Sequence, residues 1–330
     1  MRKWIKIVFW TLLLAGGAYI CAIRWQAWFG MPQEQPWQGD TLAYRFPSFA
    51  QEPVRGFVLT EEGWRDKWTP NSLDILVLGD IHNRLQQSDY DLLAARVPQA
   101  DLVAQTGDWM DRGQEYYYQS LLREWLPSRL CGLPVVVCPG NHEYSKGVSK
   151  ELSPVWENAF PQPLNGPSDV PGRHYFVDFP SLRIIVIDTN PLNRLVWLTR
   201  TLTWLRETMY STGDRYLVVL MHHPVLSAAQ GRVNPLEYAA FRHALGEADL
   251  VIAGHDHSYM RRDPFVILNT AGKPKEQHLT VPAQATDTVP VYAVLSVKEE
   301  RENWQKGGLF FKVYRLEDGK QIDELYVHHD

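Results

Sequence analysis

The chain is 330 residues long, 45% hydrophobic and 22% charged, with a formal net charge of -5. This is apolar material for one large core or two modest domains, and it excludes a mostly disordered polymer. The acidic balance leaves no whole-chain basic footprint for nucleic acid, and Cys21, Cys131 and Cys138 make no disulfide framework, the last two reading as small buried thiols.

At the N-terminus, Arg2, Lys3 and Lys6 precede Ile7 to Ile23, a run without charge. A helix from Trp4 to Ile23 would be about 30 Å long, the thickness of a bilayer core. A cleavable signal would show an A-x-A-like pattern of small residues and a shorter apolar region, and a lipoprotein signal would not have Ile20 before Cys21. The segment therefore reads as an uncleaved, single-pass signal anchor. Positive charge before the span puts residues 1–6 in the cytoplasm, residues 7–23 in the plasma (inner) membrane, and the remainder outside it, in the periplasm. Residues 24–72, with Pro32, Pro36, Pro53 and Pro70, are expected to form a juxtamembrane linker that becomes the first cover of a domain over 73–330.

Within that domain, Asp74 to Leu78 is a buried strand, Leu85 to Val97 a helix, Leu102 to Ala104 a strand, Tyr116 to Leu126 a helix and Val135 to Val137 a strand. This rhythm implies parallel strands with helices across them. Tyr175 to Phe179 and Arg183 to Ile187 follow as strands, then a helix at Trp197 to Tyr210 and a strand at Leu217 to Leu220. Glu237 to Leu245 reads as helical and Leu250 to Ala253 as a strand. Val289 to Val297, Leu309 to Arg315 and Ile322 to His328 alternate as antiparallel strands do. Two packed sheets flanked by helices accommodate all of these.

Five clusters of metal-ligating residue types follow apolar strands. They are Gly79-Asp80-Ile81-His82, Gly107-Asp108-Trp109-Met110-Asp111-Arg112-Gly113, Gly140-Asn141-His142-Glu143, His222-His223-Pro224 and Gly254-His255-Asp256-His257. Loops at the carboxyl ends of parallel strands converge on one sheet edge, so these distant residues can share a pocket. Singly, each cluster reads as a turn or a helix cap; their joint occurrence in this order is what points to a site. Mixed carboxylate and imidazole donors suit Mn, Fe or Zn.

The set of blocks resembles the signature of the calcineurin-like metallophosphoesterase superfamily over residues 73 to about 263. The resemblance implies an α/β fold, a four-layer α/β/β/α sandwich of two packed mixed sheets, here preceded by an N-terminal transmembrane helix. It implies hydrolysis of phosphoesters by a metal-bridging water at a dinuclear site holding two divalent or trivalent ions (Mn, Fe or Zn). One ion would take Asp80, His82, Asp108 and His257, and the other Asp108, Asn141, His222 and His255. It further implies His142 as general acid, with the Asp111 carboxylate hydrogen-bonded to it, and Arg112 as a phosphate clamp. His223 competes with His222 for a ligand position, the resemblance favouring His222, and then either donates to substrate or supports the ligands from behind, while Asp256 is expected to point away from the ions. Departures narrow the family. The tyrosine ligand of purple acid phosphatases would fall at Asp111, and protein Ser/Thr phosphatases lack a closing Gly-His-x-His.

The expected substrate is a phosphorylated small molecule, nucleotide or lipid, as a mono- or diester. A non-catalytic binding module would have lost ligands, and none is missing; a nuclease is opposed by the acidic balance and the anchor. Segments 144–172, 226–236 and 258–288 are the expected pocket walls. Their Tyr144, Trp156, Tyr259, Arg261 and Arg262 either grip substrate or cover the sheets. His174, His243, His278, His328 and His329 carry no motif and read as surface or packing residues.

Overall fold

The computed structural model describes residues 45–46, 48, 57–60, 63–66, 72–145, 151–170, 172–193, 195–229, 241–277, 279, 282–298 and 307–329. The expected anchor at 7–23, Cys21, His278 and most of the 24–72 segment lie outside them. Among the described residues no helix is long and apolar enough to cross a membrane.

Fifteen named strands form a hairpin and two large sheets. β1 (Phe57–Thr60) and β2 (Gly63–Asp66) make the antiparallel hairpin. The six-stranded sheet contains β3 (Ser72–Leu78), β4 (Leu102–Gln105), β5 (Val135–Val137), β13 (Val291–Lys298), β14 (Gly308–Arg315) and β15 (Gln321–Val327). Its spatial order is β15-β14-β13-β3-β4-β5, with β3, β4 and β5 parallel and the others antiparallel.

The seven-stranded sheet contains β6 (Tyr175–Asp178), β7 (Leu182–Ile187), β8 (Tyr216–Met221), β9 (Leu250–Ala253), β10 (Tyr259–Arg262), β11 (Phe265–Ile267) and β12 (Ala285–Asp287). The order is β12-β10-β11-β9-β8-β7-β6, and β7, β8, β9 and β11 run parallel.

Alternation along each strand decides which layer a side chain enters. Ile75 and Val77 of β3 meet Ile184, Val186, Val218 and Leu220 in the core between the sheets. Leu76 and Leu78 face the other way, onto Tyr90, Leu93, Tyr118 and Trp125. On the far face of the second sheet, Ile185, Val219 and Val251 pack with Leu205, Phe241 and Leu245. Strands buried on both faces need near-continuous apolar sequence, which is why they stand out in the chain. The result is two mixed sheets back to back, with helices on both outer faces.

Helix α1 (Gln87–Arg96) packs its Tyr90 and Leu93 inward, and its first turn is closed by Gln86 N–H donating to the Asp89 carboxylate at 2.8 Å. The helix expected at Tyr116 to Leu126 is α2 (Glu115–Ser120), passing into a π-helical turn at Leu121–Trp125. There Trp125 is fully buried and lies edge-on to Trp109 and Tyr90, each ring 5.0 Å away. A short helix α3 (Pro154–Ala159), a 3-10 turn at Asn190–Asn193 and the long α4 (Leu195–Tyr210) complete the described helices with bounds at both ends. Of the helix expected at 237–245, residues 241–245 are described and helical.

The segment expected as a linker contributes directly to the fold. Phe46 is fully buried, its ring stacked 4.6 Å from Phe160, and its N–H donates to the Ala159 carbonyl. Phe57 enters the inter-sheet core beside Phe179. Tyr175 links the sheets: its hydroxyl accepts from Val137 N–H at 3.0 Å and donates to the Val137 carbonyl at 2.9 Å. Cys138 is buried as expected, whereas Cys131 is half-buried.

Candidate metal centre

Every predicted donor sits just beyond the carboxyl end of a parallel strand. Asp80 and His82 follow β3, Asp108 follows β4, Asn141 follows β5, His222 follows β8, and His255 and His257 follow β9. Among the described residues six non-glycine residues have a positive φ: Asp80, His82, Asn83, Asp108, His255 and His257. Five of them are predicted donors. Left-handed backbone costs an L-residue on the order of 1–2 kcal/mol, so the surrounding bonds must impose it. They do: Asp80 N–H donates to the Gly107 carbonyl, His82 N–H to that of Asp108 and Asn83 N–H to that of Trp109.

The loops also approach one another too closely for side chains. A Cβ added to Gly140 would lie 2.1 Å from Asp108 Oδ1, and one on Gly107 would lie 2.7 Å from His222 Nδ1. Gly140→Ala is therefore expected to cost about 1–3 kcal/mol of stability, the usual range for overpacking, and to weaken metal uptake by displacing the Asp108 carboxylate. Thermal melts and metal analysis of the variant check this; unchanged metal content would count against the close approach.

One donor atom from each of Asp80, His82, Asp108 and His257 lies within 4.8 Å of the others, and all four residues are buried. His82 Nε2 and His257 Nε2 are 3.0 Å apart. On the other flank, His222 Nε2 lies 3.1 Å from Asn141 Oδ1, 3.2 Å from His255 Nδ1 and 3.3 Å from Asp108 Oδ2. Asp108 Oδ2 is also 3.6 Å from His82 Nε2. Asp108 thus stands between the two groups.

The residues present fit metal ions. A carbonyl only accepts, so His257 Nδ1, 2.8 Å from the Lys273 carbonyl, must carry its proton, as must His222 Nδ1 at 2.9 Å from the Thr106 carbonyl. In the neutral rings this leaves both Nε2 lone pairs facing other donors, the arrangement that a bound cation satisfies. Asp80 Oδ2 is buried without a hydrogen-bond partner, which is costly unless a charge completes it.

Ionisation follows from the same crowding. Burial pushes the Asp80 carboxyl up to about 7, with Asp108 adding to the rise and His222 opposing it. Burial lowers His82 to about 3. Burial would also lower His222, but the charge and hydrogen bond of Asp108 outweigh it and lift the ring to about 9. Asp108, despite its burial, is drawn well below the usual carboxylate range by His222 and His142.

The remaining predicted residues take these places. His142 Nδ1 is 2.5 Å from the backbone carbonyl of Asp111. The Asp111 carboxylate, expected beside His142, lies 3.3 Å from His82 Nδ1, and one donor atom from each of His82, Asp111 and His142 lies within 4.8 Å of the others. Asn83 Oδ1 holds the loop by accepting Asp111 N–H at 2.6 Å. Arg112 is exposed. His223 joins His222 and His255 in a group of donors within 4.8 Å of one another, and its Nδ1 is 2.7 Å from Thr189 Oγ1.

Asp256 faces away from the donors, accepting from Ser227 Oγ and the N–H groups of Ala228 and Ala229. Of the histidines without motifs, His174 is fully buried, accepting Asp188 N–H at Nδ1, and His329 pairs with Asp249 at 2.8 Å.

Several residues of the site carried no donor signal in the sequence. The buried Glu143 carboxylate accepts from the N–H groups of Asp108 (2.9 Å), Met110 (3.0 Å) and Gly140 (2.7 Å), tying two donor loops together. Its place in the Gly-Asn-His-Glu block was the available clue. Residues 268–275 strap the Asp80 side: Thr270 N–H donates to the Gly79 carbonyl and Ala271 N–H to that of Asp80. Conversely, the candidate pocket-wall residues cover the sheets. Tyr144 donates to Asp188, Trp156 packs beside Phe160, Tyr259 donates to Asp323, Arg261 pairs with Asp323 and Asp263, and Arg262 donates to the Pro282 carbonyl.

With this site and fold in view, comparisons agree. The profile of the calcineurin-like phosphoesterase family matches residues 73–259, more than half of the chain, and the chain belongs to that family. It is similar to the glycerophosphodiester phosphodiesterase GpdQ of Enterobacter lignolyticus (strain SCF1), 24% identical over 237 residues, covering 65% of this chain and 81% of that protein. Among solved structures, the purple acid phosphatase PPD1 from yellow lupin (Lupinus luteus) seeds aligns with a TM-score of 0.59 at 13% identity, covering 77% of this chain and 53% of that one. The chain thus spans about half the length of the lupin protein. GAP50, the anchor in the inner membrane complex of Plasmodium, aligns with a TM-score of 0.55 at 14% identity, covering 79% and 90% of the two chains. At these identities the structural likeness is one of fold.

Proposed function

We propose that this protein hydrolyses phosphoesters at a pair of metal ions. The observation that carries the reading is the placement of Asp108 between two donor groups, Asp80, His82 and His257 on one side and Asn141, His222 and His255 on the other. A carboxylate so placed would serve both ions. When bound, the pair would supply Lewis-acid activation of water and neutralise phosphoryl charge.

The chain's own groups account for the rest. His142, held at Nδ1 by the Asp111 carbonyl, keeps Nε2 for the leaving oxygen, to which it would deliver a proton. The exposed Arg112 offers a planar fork to two phosphoryl oxygens. His223, oriented by Thr189, contacts substrate beside His255. Substrates in this reading are phosphorylated small molecules, nucleotides or lipids, and the likeness to GpdQ supports including glycerophosphodiesters. The uncharged run at 7–23 supports an inner-membrane anchor with the catalytic domain outside the cytoplasm.

The deciding experiment assays the full-length protein in detergent with Mn, Fe or Zn against a panel of mono- and diesters. Metal-dependent turnover is expected, and its absence across the panel would sink the reading. Metal uptake should also release protons. At pH 7 His222 is protonated and Asp80 partly so, yet both must be deprotonated to ligate. Affinity should therefore rise with pH through about 9. Calorimetry in buffers of different ionisation enthalpy checks this, and uptake without proton release would contradict it.

A further inference from the structure

Asn141 and His222 come from different sheets, Asn141 following β5 and His222 following β8. The Asp80 and Asp108 loops follow neighbouring parallel strands and are tied by backbone bonds. The Asn141–His222 pairing spans two sheets and is linked indirectly through the loop after β4, by Glu143 on one side and the Thr106 carbonyl on the other; a direct tie between the two loops would sharpen its register.

We propose that Asp188-Thr189-Asn190, directly after β7, is a positioning staple that registers the Asn141 loop against the His222 loop and so sets the donors of the second ion. The proposal rests on the two-metal reading above.

Hydrogen bonds on both sides of the segment carry it. Asn190 Nδ2 donates to the carbonyls of Pro139 at 3.1 Å and Gly140 at 3.3 Å, the two residues immediately before Asn141. Asn190 N and Nδ2 also both lie 2.9 Å from Asp188 Oδ1. That fixes the amide, because a flipped side chain would set its oxygen against three acceptors. On the other side, Thr189 Oγ1 accepts His223 N–H at 3.1 Å and meets His223 Nδ1 at 2.7 Å, one residue beyond His222.

The staple is itself anchored. Asp188 and Thr189 are buried, at 0% and 1% exposure. The Asp188 carboxylate accepts from the Tyr144 hydroxyl, and its N–H donates to His174 Nδ1. Because β7 is the parallel neighbour of β8, the segment beyond it stands beside the His222 loop and reaches across the sheets to the Gly140 turn. None of these three residues is among the predicted donors, and Thr189 reaches the cluster only through His223, so they position rather than catalyse. Hydrogen-bonded support of ligands typically tunes metal affinity about 10–100-fold.

The test is calorimetric titration of the full-length protein with Mn²⁺ or Zn²⁺, comparing Asn190→Leu with Asn141→Ala and Asp80→Asn. Asn190→Leu keeps similar volume and removes the donors. It should weaken, by about tenfold or more, the same ion that Asn141→Ala removes, and leave the ion sensitive to Asp80→Asn within about twofold. Thr189→Val should weaken the same ion, and it supplies the test if Asn190→Leu does not fold. Equal weakening of both ions, or of neither, overturns the staple while leaving the two-metal reading intact. A wild-type protein that takes up fewer than two ions overturns that reading, and the staple with it.

Discussion

Replacing Asp108 with alanine is expected to release both metal ions and to lower turnover by about 10³-fold or more, the scale of removing a group that stabilises developing charge. The expectation follows from its position. Its Oδ2 lies 3.3 Å from His222 Nε2, 3.6 Å from His82 Nε2 and 3.9 Å from His142 Nε2, while Oδ1 accepts His142 N–H at 2.9 Å. It is the carboxylate shared by both donor groups, and truncation also removes the counter-charge that holds His222 at about 9.

Truncation relieves part of the like-charge pressure on Asp80 but forfeits the favourable pairing with His222 and His142, so folding is measured alongside activity. Metal analysis and turnover, with a thermal melt to establish folding, check the prediction. A folded variant that keeps two ions and wild-type turnover would falsify the assignment of Asp108 as the shared ligand.

Replacing His142 with alanine should leave both ions in place and reduce turnover by about 10²–10⁴-fold for esters of ordinary alcohols, the range of general acid–base catalysis. His142 is part-exposed and holds its Nδ1 against the Asp111 carbonyl, so in the proposed reading its other nitrogen, 3.9 Å from Asp108 Oδ2, would serve the substrate. The discriminating readout is leaving-group dependence. A nitrophenolate leaves without needing a proton, so the variant should lose much less activity on nitrophenyl esters than on alkyl esters. Equal losses on both, or loss of metal, would instead make His142 a structural or ligating residue.

The donors were readable in the chain because each short motif follows a strand buried on both faces, and such strands are near-continuous apolar runs. The roles of neighbouring polar residues were not. Glu143 sits in the same block as Asn141 and His142, yet its work is to collect three backbone N–H groups, two of them from the loop after β4. Asp111 meets His142 through its carbonyl, and its N–H is held by Asn83, from another strand end. Tyr144, Trp156, Tyr259, Arg261 and Arg262 could be assigned either to substrate or to packing by residue type. Burial and partners such as Asp188 and Asp323 decide for packing. Asp188-Thr189-Asn190 has no motif, since amide and hydroxyl side chains acquire a role only from the groups facing them.

By itself, then, the sequence marked the long apolar strands, though not β1, β2, β10, β11 or β12, together with the order of the five donor blocks and the residue types they carry, because these depend on contiguous residues. The tertiary structure alone decided which donors face one another: it pairs β13 with β3 across more than half the chain and stacks two sheets so that Asn141 and His222 come within 3.1 Å. Proximity of that kind is set by strand pairing and packing between distant segments, for which no local pattern of residues is sufficient.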